Sequence, residues 1–139
     1  MRDVRARNER AWKGNLADAL GDAQALAAGV TEVERRVAQT RAAIAAATGT
    51  RDRVLAPGAP SVTSTTLAHL EHYLRRLRHD LEAARGELWR AEARHRGQLE
   101  VVDAARERLT LARAEREVIE RHFAAWRAER HKRAQRRED

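Results

Sequence analysis

The sequence predicts an all-α protein: a long antiparallel two-helix coiled-coil hairpin with a C-terminal helical overhang. Two apolar ladders and the break between them carry that prediction. The first ladder runs through Trp12, Leu16, Ala19, Ala23, Leu26, Val30, Val33, Val37, Thr40, Ile44 and Ala47. The second runs from Leu67 through Leu70, Leu74, Leu77, Leu81, Ala84, Leu88 and Ala91 and on to Ile119, Phe123 and Trp126. Both advance in alternating steps of three and four, the a and d spacing of a left-handed coiled coil, so each ladder needs a partner that hides it from water. Between them Pro57 and Pro60 interrupt any continuous helix, because proline lacks the amide hydrogen and clashes with the preceding turn.

Taken in order, the first helix is expected over about residues 3–48. Gly14, Gly21 and Gly29 fall outside its a and d positions. Each still costs about 1 kcal/mol of helix propensity relative to alanine, so this helix depends on the second for its stability. The loop is expected over about 49–65, with a further helical turn over Arg51 to Leu55 as the alternative and with Ser64 or Thr65 capping the second helix through a side-chain oxygen. The second helix follows over about 66–137, and residues 1–139 form a single coiled-coil domain. An antiparallel register that opposes a to d positions sets Ile44 against Leu70, Val37 against Leu77, Leu26 against Leu88 and Trp12 against Val102. In that register Arg2 reaches only to Ala112, and residues 113–139 overhang.

Composition excludes several classes. Only 4% of the 139 residues are aromatic and 35% are charged, too few large apolar groups for a thick layered core. The absence of cysteine rules out disulfides and thiolate metal sites and fits a reducing compartment. No signal-peptide or transmembrane pattern occurs, so a soluble intracellular protein without membrane insertion is expected. The net charge of +7 raises a nucleic-acid partner. Acidic residues are interleaved with the arginines, however, as in Glu115, Arg116, Glu117, Glu120 and Arg121, and that pattern reads as a solvated helix surface with i,i+4 pairs.

No Gly-rich phosphate loop, nucleophile elbow or pocketed carboxylate pair is present, so no enzyme activity and no cofactor are expected. His69, His72 and His79 lie near one another but off the seam. A metal site needs three or four converging ligands, and none is expected here. His95 and Gln98 occupy seam positions where apolar residues would be expected, and such polar interruptions specify register at some cost in stability. The apolar stripe of the overhang continues through Val118, Ile119, Phe123 and Trp126 before Arg127, Arg130, Lys132, Arg133, Arg136 and Arg137. An apolar stripe on an uncovered helix marks a binding surface or a dimer contact.

The segment Glu115-Arg116-Glu117-Val118-Ile119-Glu120-Arg121-His122-Phe123-Ala124-Ala125-Trp126-Arg127-Ala128-Glu129-Arg130, the ending Arg136-Arg137-Glu138-Asp139 and the hairpin architecture together resemble the FliJ/YscO family, the central stalk proteins of type III secretion systems. The resemblance implies a non-enzymatic cytoplasmic protein, peripheral to the secretion apparatus at the inner membrane. It would insert its termini into a hexameric export ATPase, promote the assembly and activity of that ring and link it to the export gate protein. On this analogy Val118, Ile119, Phe123, Trp126, Arg130, Arg133, Arg136 and Arg137 meet the ring, and Ile44, Leu70, Tyr73 and Leu77 at the hairpin tip meet the gate. Secretion chaperones are further partners on this reading. The free chain is expected to be a monomer, with a dimer as the variant that would hide the stripe. Two alternatives stand beside it: a secretion chaperone that holds clients on the stripe, and a nucleic-acid-associated coiled-coil scaffold.

Overall fold

A computed structural model describes residues 1–138, the last of them by its backbone alone. Helix α1 spans Arg2–Leu55 and helix α2 spans Ser64–Glu138, and among the described residues there is no strand. The two helices pack against each other as an all-α hairpin. Burial follows the ladders: from Trp12 to Ala47 and from Leu67 to Ile119, every a and d position is buried or half-buried. The period read from the sequence is therefore the packing face.

Helix α1 ends seven residues later than the expected limit near 48, and the loop shortens to 56–63. Neither Gly49 nor Thr50 stops a helix whose partner is already in place. The Thr50 hydroxyl donates back to the Ala46 carbonyl at 3.1 Å, and the next seam positions, Arg51 and Val54, are half-buried. Pro57 and Gly58 make the actual stop. Ala59 donates its amide to the Ala56 carbonyl at 3.1 Å, and Gly58 has φ +79°, so residues 56–59 form a turn with proline second and left-handed glycine third, the type II arrangement. Helix α2 then begins two residues earlier than expected. Its cap is Thr63 rather than Ser64 or Thr65: the Thr63 hydroxyl accepts the Thr66 amide at 3.2 Å, which satisfies one of the four unpaired donors of the first turn.

Contacts group the chain into two units, Ala25–Arg96 on one hand and Met1–Gln24 with Gly97–Asp139 on the other. In the first unit, Val37 packs with Leu81 and Ala84, and Ala47 with Leu74 and Leu77. Arg36 pairs with Glu87 at 2.6 Å and Arg51 with Glu71 at 3.7 Å; the falling partner numbers make the helices antiparallel. Leu74 is completely buried, a burial worth about 1.5–3 kcal/mol for a leucine. In the second unit Ala19 and Ala23 close on Val102, with Leu16 alongside, and Ala105, Leu109 and Ala112 continue the buried face.

These partners lie one heptad further along α2 than the expected register. Val37 meets Ala84 rather than Leu77, and Val102 meets Ala19 rather than Trp12. The longer α1 accommodates the shift, because Arg51 and Val54, both half-buried, take the seam places opposite the first turns of α2 that the expected register gave to Ile44 and Ala47. The N-terminus consequently reaches further, with Arg5 paired to Glu115. The overhang is shorter than residues 113–139. Arg116 and Ile119 are still half-buried, and residues 120–137 are all exposed.

Candidate partner-binding surface

The surface sits where the apolar seam of the second unit turns ionic and then apolar again. Stepping back from Trp12 by three and four residues reaches Glu9 and Arg5. Glu9 is 4% exposed although charged. Its carboxylate lies 3.3 Å from Lys13 Nζ, 3.6 Å from Arg113 Nε and 2.8 Å from Arg116 Nη1. Burial acts to raise the Glu9 pKa. The Lys13 hydrogen bond and the charges of Arg116, Lys13 and Arg113 outweigh it, holding the carboxyl below its ordinary value. The Arg116 contact is an ion pair without hydrogen-bond alignment, since Glu9 Oε2 and Arg116 Nε accept and donate no hydrogen bond. A buried charge of this kind tolerates few alternative partners, which is how polar seam residues fix register.

Beyond this layer Ile119 is half-buried, while Phe123 and Trp126 are 41% and 50% exposed. Their rings lie 5.5 Å apart at 31°, within the range of favourable aromatic pairs. Met1 shares an open groove with Ile119, Phe123 and Trp126, so the start of α1 borders the stripe without covering it. Arginines lie over the rings: Arg2 and Arg127 over Phe123 at 5.8 and 5.1 Å, and Arg130 over Trp126 at 4.9 Å. Cation–π contact at such exposed sites contributes about 0.5–1 kcal/mol. Val118, 64% exposed, is not among the residues that line the groove. Of the basic positions, Arg133 lines the groove and pairs with Glu129 at 3.3 Å, and Arg136 and Arg137 are exposed in the last turn.

The four residues assigned to the hairpin tip divide. Leu77 is buried and Ile44 and Leu70 are half-buried, all three inside the core of Ala25–Arg96, because they are a and d positions and the helices stay packed up to the turn. Only Tyr73 offers surface, 39% exposed with Arg76 over its ring at 5.4 Å. Near the turn, Leu55 and Val62 are 58% and 40% exposed; neither belongs to an apolar ladder, so seam periodicity does not single them out. Gln98 bonds across the seam to α1. Its amide donates to the Ala19 backbone carbonyl at 3.1 Å. His95 is half-buried, and His69, His72 and His79 are exposed. Among the described residues no three His, Asp or Glu side chains converge as a metal would require, and no helix is long and apolar enough to cross a membrane.

Comparison of the chain with protein-family models, with curated proteins and with solved structures gives no match.

Proposed function

We propose that this protein is a non-enzymatic stalk of a type III secretion export apparatus, cytoplasmic and peripheral to the inner membrane. Its paired termini enter a hexameric export ATPase and promote assembly and activity of the ring, and the turn end contacts the export gate protein. The observation that carries the reading is the aromatic pair Phe123 and Trp126, exposed immediately after α1 has run out and beside Met1. Termini gathered at one apolar, arginine-flanked end are what insertion into a protein pore requires, and the resemblance of residues 115–130 to FliJ/YscO proteins names the pore. At the other end Tyr73, with Leu55 and Val62, is the surface left for the gate.

The test is reconstitution with the purified export ATPase. Removing an aromatic anchor from a buried contact costs about 2 kcal/mol or more, against much less for a rim charge. Phe123→Ala with Trp126→Ala should therefore abolish stimulation of ATP hydrolysis while helicity and melting stay near those of the parent chain. Full stimulation by the double variant would refute the reading.

A further inference from the structure

The apolar seam does not end at Trp126; its positions continue in steps of four, three and four as Arg130, Arg133 and Arg137, with Arg127 and Arg136 at the flanking positions. Five of the six cations between residues 127 and 137 thus share the face that carries Phe123 and Trp126, and Glu129 is the single carboxylate in that span. Lys132 alone lies off that face. Among the described residues, Arg133 is the one cation of this span paired with a carboxylate. A helix surface balanced only for solubility would mix its signs here, as it does at Glu117 with Arg121, 2.5 Å apart.

We propose that the occupant of this face is an acidic amphipathic helix, carrying apolar residues opposite Phe123 and Trp126 and carboxylates at the three seam positions opposite Arg130, Arg133 and Arg137. The inference rests on the docking role given above to the same stripe, and it adds the partner's chemistry. Charge decides between occupants. A second copy in parallel alignment would set Arg130 on Arg130. In an antiparallel pairing centred on the aromatics it would set Ile119 against Arg130 and Arg116 against Arg133. Either arrangement buries cations without anions, which is costly. A nucleic-acid duplex would satisfy the arginines with its phosphates but, with its bases stacked inside, leave the aromatic pair without an apolar partner. An acidic helix satisfies both, and bidentate arginine–carboxylate pairing gives it orientation as well as attraction.

The experiment titrates the full chain into fluorescently labelled three-heptad peptides, followed by anisotropy. One peptide bears two leucines and then three glutamates at consecutive seam positions, a second bears the reverse order, and matched controls replace the glutamates with lysine. One of the glutamate peptides should bind at least tenfold tighter than its lysine control, with the advantage shrinking as salt shortens the Debye length from about 10 Å at 0.1 M toward 3 Å at 1 M. Phe123→Ala with Trp126→Ala should weaken binding roughly thirtyfold or more, as expected for paired anchors. Arg130→Gln, Arg133→Gln and Arg137→Gln together should erase the glutamate preference while circular dichroism remains that of the parent chain.

Equal affinity for glutamate and lysine peptides would overturn the proposal. So would a DNA duplex that binds more tightly than either peptide and ignores the aromatic change, or a chain dimer, seen by sedimentation, that the aromatic change dissolves. Preference for the glutamate peptide without stimulation of the ATPase would uphold this inference and defeat the stalk reading. Stimulation without the preference would do the reverse.

Discussion

The two units follow one stepping rule with different chemistry. The seam of Ala25–Arg96 is mostly aliphatic, with Val33, Val37, Ala47, Leu74, Leu77 and Leu81 buried. The seam of the other unit includes Arg5, Glu9, Gln98 and Arg116. Adhesion and register are thereby assigned to different units. In an aliphatic seam a slip of one heptad exchanges one leucine or alanine contact for another, and the loss is small. In the ionic seam it is not. Slipping back by a heptad would replace Arg116, the cation nearest Glu9, with Leu109 and would set Arg5 near Arg108 instead of Glu115. Slipping forward would bring Glu120 and Phe123 to Glu9. The aliphatic unit supplies adhesion, and the ionic unit selects which of the heptad-related alignments is kept.

The largest effect that would test this division is in the aliphatic unit. Leu74 is fully buried, so Leu74→Ala should lower the free energy of unfolding by about 3 kcal/mol, within the 2–5 kcal/mol range for leucine truncation, measured by urea denaturation. A loss under about 1 kcal/mol would mean that adhesion does not reside there.

Acid should sharpen the contrast next. The folded Glu9 pKa lies below the ordinary carboxylate value. Its stabilisation is therefore complete above the pKa of the unfolded chain and is lost as pH falls through the depressed folded value. Glu32, in the other unit, is also lowered, first by the Arg35 hydrogen bond, but it is exposed and its pair is screened by salt. At high salt, Trp12 fluorescence in a chain carrying Trp89→Phe and Trp126→Phe should report loosening at acid pH that Glu9→Gln removes. An acid response unchanged by Glu9→Gln would place the sensitivity elsewhere.

The smallest effect concerns His95, half-buried on the seam. His95→Leu should raise stability by about 1 kcal/mol on the scale of buried apolar groups, read as a higher melting temperature. A fall would reveal a specific partner for the imidazole.

How much of this was legible follows from the same contrast. Apolar periodicity identified the packing face residue by residue, from Trp12 to Ala47 and from Leu67 to Ile119, because burial of aliphatic side chains is what the period records. Register was not legible by that rule, since the residues that set it are charged. Following the steps beyond Trp12 would have found Glu9 and Arg5, and beyond Ala47 would have found Arg51 and Val54. A reading confined to apolar residues stops short on both sides. The end of α1 was misplaced because Gly49 and Thr50 are weak helix formers in isolation, whereas here α2 supplies the stabilisation that propensity lacks. The exposed pair at Phe123 and Trp126 was legible, because it needed only the seam to outlast α1, which it does in either register.

The placement of Met1 beside Phe123 and Trp126 has a mechanical consequence. A load that draws the two helices apart at this end acts on the layers one after another: the Arg2–Phe123 contact opens first, then the Arg5–Glu115 pair, then the cluster around Glu9, then Leu109 and Val102. Unzipping of this kind needs only the force that breaks a single layer. A load along the helix axes must shear all the layers at once. This end of the hairpin therefore yields more readily to sideways pulling than to axial pulling, and the ionic layer at Glu9 is an early barrier to a gentle peel.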